Sequence, residues 1–382
     1  MPQTVRHATT IGILGGGQLA RMSALAAYRL GYHVAILDHE RHTPAGEITH
    51  LEFVGSLHNR RHLRRLARHA DFITLENEFV DTHRLEYLER HGHRVVPSSR
   101  TIALIQDKLL QKEALRRRGI PVPRFLPVET GQDYAALARQ LGRTFLLKSR
   151  KMGYDGYGNA LVRSERTFHD AHRRLTLRHT KLMAEEYVPF TMELAVMVVR
   201  TRREIATYPV VQTIQRNHIC HTVIAPAPVA PPVARRAREV ALRAVRAVGG
   251  YGLYGVELFV RKDGAVLVNE MAPRPHNSGH YTIDACVTSQ FENHVRSVLG
   301  LPLGSTAMTR PYAVMINLLG TRDGRATERG ADSALRHPDV RLHVYGKRDV
   351  RRGRKMGHIT VTGESLTAVL ALARRAAGRV RL

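Results

Sequence analysis

The chain has no tryptophan, only two cysteines, and eight lysines against fifty-one arginines among its 382 residues. Cys220 and Cys286 stand far apart, which excludes a disulfide framework and a thiolate zinc site. No apolar run approaches the ~20 residues that span a bilayer, and residues 1–7 lead into an apolar strand without a signal-peptide layout. A soluble, cytoplasmic protein with no membrane partner is expected. Acid is also scarce: 33 Asp and Glu face 59 Lys and Arg, a formal charge of +26. Such a balance favours anionic partners, whether nucleic acid or phosphorylated metabolites. The basic residues are scattered, as in Arg60-Arg61, Arg116-Arg117-Arg118 and Arg235-Arg236, without interleaved aromatics or zinc-finger spacing, so nucleic acid is the disfavoured partner. The scarcity of lysine singles out Lys108, Lys148 and Lys355, because an ammonium and a guanidinium are not interchangeable at a phosphate. There is no Walker A sequence, so any bound ATP must be held by another design.

What is present reads as two or three packed domains of α/β character. Residues 10–97 alternate strand and helix: strands at 10–14, 34–38 and 72–75, and a helix over 18–30 ended by Gly31. This rhythm implies a parallel sheet. The first turn, Gly15-Gly16-Gly17-Gln18-Leu19-Ala20, fits G-x-G-x-x-A with Asp38 at the spacing of a ribose-binding acid. Alone it would argue for a dinucleotide, but such a turn at a helix N-terminus cradles any phosphate. A helix over 101–118 follows, stopped by Gly119 and Ile120-Pro121-Val122-Pro123. Next come the strand Phe145-Leu146-Leu147-Lys148 and the loop Met152-Gly153-Tyr154-Asp155-Gly156-Tyr157-Gly158-Asn159. Its glycines let backbone amides approach phosphate oxygens, and Lys148 supplies a point charge beside them.

The strongest chemical signal lies between residues 255 and 280. Asp263-Gly264 between two apolar runs predicts a two-residue type I′ hairpin, whose register sets Glu257 directly opposite Glu270. Like charges so placed repel, which calls for something positive between them: a hard divalent cation is the economical candidate, and an exposed hairpin whose acids pair with nearby Arg is the alternative. The next residues, Met271-Ala272-Pro273-Arg274-Pro275-His276-Asn277-Ser278-Gly279-His280, cannot continue the strand. They bring Arg274, His276 and Asn277 near the acids. Pro275 and Gly279 argue against the helix that would make His276 and His280 a zinc pair.

Taken in order, these segments, together with Gln106-Asp107-Lys108 and the basic turn Gly353-Arg354-Lys355-Met356-Gly357-His358, resemble the ATP-grasp enzymes over nearly the whole chain. The run Asn269 to His280 is its most specific part. The resemblance implies a Rossmann-like N-terminal domain at 1–97, an ATP-grasp domain at 98–303 with a lid at about 120–190, and a small β-rich C-terminal domain at 304–382. It implies ATP contacts at Lys108, Lys148, Gly153, Tyr154, Asp155, Gly156, Tyr157, Gly158, Asn159, Glu185, Val188, Glu193, Gln212, Asn269 and Glu270, with Mg²⁺, or Mn²⁺ in its place, at Glu257 and Glu270. A ribonucleotide would lie against Gly17, Gln18, Leu19, Tyr154, Arg274, His276, Arg354 and Lys355. Many relatives carry Arg or Lys where this chain has Tyr157, and Arg150 or Lys151 could replace that charge. The activity implied is carboxylation of 5-aminoimidazole ribonucleotide with ATP and bicarbonate, through carboxyphosphate. Asp155 would accept the amine proton, Arg274 and His276 would hold the carboxyphosphate, and Lys355 completes the catalytic set. A homodimer is the expected assembly, with hand-off to an N5-carboxyaminoimidazole ribonucleotide mutase. The alternatives are a formate-dependent glycinamide ribonucleotide transformylase-like ligase and a nucleic-acid-binding protein on the same scaffold.

Overall fold

The computed structural model describes residues 9–129, 131–153, 158–178 and 181–382. Near the N-terminus, Thr10–Leu14, His33–Asp38, Leu51–Val54, Phe72–Leu75 and Arg94–Val95 form a parallel five-stranded sheet. In spatial order the third, second, first, fourth and fifth of these strands lie side by side. Thr10–Leu14 is thus the point where the order reverses, and the crevice beyond its C-terminal end is the expected ligand position in such a sheet. Ile11, Ile13, Val34 and Ile36 point to one face, where they bury Ala20, Ala24 and Ala27 of the helix Gln18–Arg29 and Val295, Val298 and Leu299 of the helix Gln290–Leu299.

The helix expected over 101–118 is two helices, Ser99–Gln106 and Lys108–Arg117. Asp107 interrupts them in extended conformation, because its carboxylate caps the second helix at Leu109 N (3.1 Å) and also holds Arg150 at 2.7 Å. An antiparallel four-stranded sheet follows, in the order Phe125–Val128, Leu182–Glu186, Phe145–Ser149, Asn159–Val162.

The largest sheet has nine strands. It runs from the edge strand Val266–Ala272 through Gly252–Arg261, Phe190–Arg200, Val211–Arg216 and Ile219–Ala225 to the C-terminal strands Tyr312–Leu319, Lys355–Gly363 and Val340–Val344, with Ile205–Thr207 paired beside Phe190–Arg200. The helix Pro231–Val248 covers one face, burying Val240, Ala244 and Val248 against Leu194, Val196, Val256 and Leu258. Alternation along the strands then puts Glu193, Ala195 and Glu257 on the other face.

The hairpin carrying the acids departs from the two-residue turn and reaches the expected pairing by another route. Arg261 N donates to Ala265 O and Gly264 N to Arg261 O, both at 2.9 Å, so Lys262, Asp263 and Gly264 form a three-residue loop. Only Gly264 is left-handed, at φ 78°, whereas a type I′ turn would also force Asp263 to positive φ. This slips the register by one residue: Leu258 faces Val268 and Phe259 faces Leu267. A bulge then leaves Asn269 unpaired and slips it back, so Glu257 does face Glu270.

Candidate active site

The bulge is anchored from outside the sheet. Three side chains of the helix Lys108–Arg117 reach the edge strand around it. Gln111 both accepts from Met271 N (2.9 Å) and donates to Met271 O (3.1 Å). Lys112 donates to Asn269 O at 2.8 Å, and Lys108 pairs with the Glu270 carboxylate. An edge strand has free backbone groups on its outer side, and here helix side chains satisfy them while fixing the extra residue. Lys112 also meets Glu185 at 2.7 Å, and Lys148 meets the other Glu185 oxygen at 2.5 Å. Burial opposes the charge on Glu185, yet the two ammoniums hold its carboxyl below the usual carboxylate range. Burial, and then the neighbouring Lys148, weakens Lys112's hold on its proton.

The opposed acids titrate apart. Burial first, then the facing Glu270, pushes the Glu257 carboxyl up to about 8. Burial opposes the charge on Glu270 too, but the Lys108 ammonium takes it down to about 2. Asn269 Nδ2 donates weakly to Glu257 at 3.4 Å, while Asn269 Oδ1 is buried and has no hydrogen-bond partner among the described residues. Two carboxylates and an unpartnered amide oxygen make a hard, all-oxygen donor set.

Arg274 and His276 lie at the same place, as the sequence led us to expect. Arg274 grips Glu78 with two bonds, at 2.5 and 3.1 Å. His276 Nε2 lies 3.3 Å from Glu257. His276 Nδ1 meets Ser278 Oγ at 2.7 Å and accepts from Ser278 N at 3.4 Å; with Nδ1 as the acceptor of both, the ring proton is assigned to Nε2, facing Glu257. Burial, reinforced by Arg274 and Lys355, pushes the His276 pKa down to about 4, so the ring is neutral at physiological pH. Lys355 is close enough to act on both Glu257 and His276, and Lys347 donates to its carbonyl at 2.8 Å. Arg354 donates to Asp349 O at 2.7 Å.

The glycine turn is filled differently from a free phosphate cradle. Gly17 N and Leu19 N donate to the Glu76 carboxylate at 2.9 and 3.3 Å, and Gly16 N donates to Asp38 at 2.7 Å. A Cβ on Gly17 would come within 2.1 Å of Glu76. Asp38 Oδ2 is therefore committed to the turn itself, while Oδ1 accepts from Glu40 N at 3.2 Å. Glu193 shares the face of the acids and is hydrogen-bonded by Gln215. Gln212 pairs with Leu194 and Ile224, on the face turned away from Glu193 and Glu257, so the structure does not bring it to the cluster. Val188 is buried just after the strand that carries Glu185. Asn159 is the cross-strand partner of Lys148, Gly158 O accepts from Ser149 N at 2.7 Å, and Gly153 lies against Gly158. Tyr154, Asp155, Gly156 and Tyr157 lie outside the described residues. His280 is wholly buried beside Gln290 and forms no metal pair with His276. Asp284, His343 and His358 bring ligand atoms within 4.8 Å of one another. His343 and His358, however, stack at an interplanar angle of 13°. Nearly parallel rings cannot aim both lone pairs at one ion.

Sequence reasoning missed Lys112, Gln111, Glu76 and Glu78. Lys112 was legible as the residue four after Lys108, on the same helix face. Glu76 and Glu78 were legible as acids just past a parallel strand beside the order reversal.

The Rossmann-like sheet, the paired sheets behind it and the lysine–carboxylate cleft are those of an ATP-grasp enzyme. Residues 113–291 match the ATP-grasp domain, residues 8–106 the ribonucleotide synthetase preATP-grasp domain, and residues 313–372 the phosphoribosylaminoimidazole carboxylase C-terminal domain. The N5-carboxyaminoimidazole ribonucleotide synthase of Synechococcus elongatus is 42% identical over 92% of this chain and 89% of its own length. The phosphoribosylaminoimidazole carboxylase of Ogataea methanolica is 44% identical over 94% of this chain. The chain spans only 64–67% of the length of that protein and of its fungal and plant counterparts. The N5-carboxyaminoimidazole synthase of Aspergillus clavatus, solved with ADP and 5-aminoimidazole ribonucleotide, superposes with a TM-score of 0.87 at 36% identity, covering 97% of this chain and 98% of that one. This chain belongs to the N5-carboxyaminoimidazole ribonucleotide synthase family of ATP-dependent ligases.

Proposed function

We propose that the chain uses ATP and bicarbonate to carboxylate the amine of 5-aminoimidazole ribonucleotide, a step of purine biosynthesis. The observation that carries this reading is the pair Glu257 and Glu270, set opposite each other by the Asn269 bulge amid Lys108, Lys112 and Lys148. The donor set fits Mg²⁺, or Mn²⁺ in its place. Bound there, the ion would neutralise phosphate charge during transfer.

Bicarbonate attacks the γ-phosphorus, the bond to the β,γ-bridging oxygen breaks, and ADP leaves. The resulting carboxyphosphate gives its carboxyl group to the amine, releasing phosphate and the amine proton. Phosphoryl transfer needs positioning and charge more than covalent help. Lys148 and Lys108 supply that charge for ATP, with Glu185, Val188 and Glu193 as the remaining contacts. Arg274 and His276 hold the carboxyphosphate, His276 as a neutral Nε2–H donor. Asp155 takes the amine proton, and Arg354 with Lys355 faces the ribonucleotide. The division at 1–97, 98–303 and 304–382, a lid at about 120–190, a homodimer in the cytoplasm and hand-off to a mutase belong to the same reading. No described helix is long and apolar enough to cross a membrane.

The test is ADP release from Mg-ATP. It should be slow alone and much faster with 5-aminoimidazole ribonucleotide and bicarbonate together. Stimulation by glycinamide ribonucleotide and formate instead would transfer the chain to the rival ligase.

A further inference from the structure

Gln290 is wholly buried at the first turn of the helix Gln290–Leu299, and its side chain belongs to no part of the chemistry described above. Its amide is fully spent on one irregular segment. Oε1 accepts from His276 N at 3.0 Å, and Nε2 donates to His276 O at 2.8 Å. Nε2 also meets His280 Nδ1 at 3.1 Å. Since His276 N can only donate and His276 O only accept, the amide cannot be flipped. His280 Nδ1 therefore accepts, and the His280 proton sits on Nε2. The Gln290 main chain joins in: its N–H donates to Thr282 Oγ1 (2.8 Å), which donates to Gly279 O (2.6 Å).

Two glycines make room for this clamp. A Cβ on Gly279 would come within 2.4 Å of Gln290 Oε1, and one on Gly255 within 2.6 Å of His276 Cβ. His276 is thus pressed against the strand Gly252–Arg261, two residues from Glu257, and held by both its peptide groups from behind. The helix bearing Gln290 is itself seated in the N-terminal sheet through Val295, Val298 and Leu299, and through His294 Nε2 at 3.1 Å from Thr74.

We propose that Gln290 is a positioning residue for His276. It ties the backbone of His276 to the N-terminal sheet, so that the imidazole Nε2–H meets the carboxyl group being transferred. The inference rests on the carboxylation reading and goes beyond it. It assigns to Gln290 the coupling of ATP cleavage to carboxyl transfer, because a carboxyphosphate not held in place is lost to water.

The experiment measures ADP and fixed bicarbonate in the same reaction of the full chain with Mg-ATP, bicarbonate and 5-aminoimidazole ribonucleotide. Wild type should give one ADP per carboxyl group fixed. Gln290→Glu keeps the volume and the acceptor for His276 N but replaces two N–H donors by at most one O–H, so His276 O and His280 Nδ1 cannot both be served. Carboxyl fixation should fall by about ten- to a hundredfold, the cost of misplacing a reacting group by an ångström, while ADP formation falls far less. Gly279→Ala, which displaces the same amide without removing it, should uncouple the reaction likewise and serves if the first variant does not fold. On a His276→Ala background, Gln290→Glu should cause no further uncoupling. A ratio that stays at one while both products fall together would make Gln290 a purely structural residue and overturn the proposal. So would uncoupling that adds fully to that of His276→Ala, or no change at all. Wild type that fixes no bicarbonate would instead remove the carboxylation reading.

Discussion

Replacing Lys112 by Met tests the anchoring of the site most directly. Met keeps the length and apolar bulk of the stem and deletes the ammonium that joins Glu185 to Asn269 O. The side chains of Lys112 and Glu185 are only 3% and 1% exposed, so little solvent screening softens the loss. Removing one partner of a buried ion pair costs ~3–5 kcal/mol. Lys148 still holds Glu185 at 2.5 Å, which argues for the lower end, about 3 kcal/mol. The freed Asn269 carbonyl adds about 1 kcal/mol. For a cooperative unit of about 200 residues, a total of about 4 kcal/mol lowers Tm by roughly 8–16 °C. Because the same carbonyl belongs to the bulged residue, the KM for Mg-ATP should rise as well. Lys112→Met combined with Glu185→Gln should be less stable still, since the buried Lys148 then loses its own carboxylate partner. Thermal unfolding and steady-state ATP turnover read both effects. A Tm within about 1 °C of wild type, with unchanged KM, would refute the anchoring argument, since even a typical surface substitution moves stability by up to ~0.5 kcal/mol.

Glu270→Gln keeps volume and an acceptor for Lys108, so the fold should survive while ATP turnover at limiting Mg²⁺ is lost; wild-type turnover there would remove the metal assignment. Glu257 has its carboxyl raised from 4.5 to about 8. Its neutral form is the favoured one in the metal-free fold, so that contribution to stability is complete below pH 4.5 and lost as the pH rises through about 8. A divalent cation needs the carboxylate, so the Tm gain on adding Mg²⁺ should be larger at pH 8 than at pH 6, and an equal gain at both would contradict the pairing. The charge of +26 should steer the anionic substrates: kcat/KM should fall with added salt as the Debye length shrinks from about 30 to about 8 Å, while kcat holds. A salt-independent kcat/KM would leave the basic surface without a role in substrate capture.

The sequence carried the site further than it carried the elements beneath it. The opposed carboxylates were legible from the turn signal between their strands, Arg274 and His276 from the Pro- and Gly-broken segment just past Glu270, and the lysines at 108 and 148 from the scarcity of that residue. The break at Asp107 was not legible, because a helix can run through Asp at small cost. What breaks it is the double role of that carboxylate, which caps Leu109 N and is held in place by Arg150, forty-three positions away. Gln212 was misplaced for a related reason: the face a strand residue occupies is set by its neighbours' register, and no local pattern announces which face holds the acids.

The hairpin shows most clearly why the site and its scaffold have to be read together. A two-residue turn would have opposed Glu257 and Glu270 with a regular ladder. The actual three-residue loop misaligns them by one residue, and on an unbulged strand that slip would turn Glu270 to the opposite face. The correction comes from the extra residue, and a bulge leaves backbone groups unpaired that must be satisfied elsewhere. Lys112 and Gln111 do that from the neighbouring helix, while Lys108, one turn earlier, neutralises the acid that the correction brings inward. The helix starts at Lys108 because Asp107 caps it. The irregularity that helix propensity could not foresee at Asp107 is thus what places the three side chains on which the facing of Glu257 and Glu270 depends.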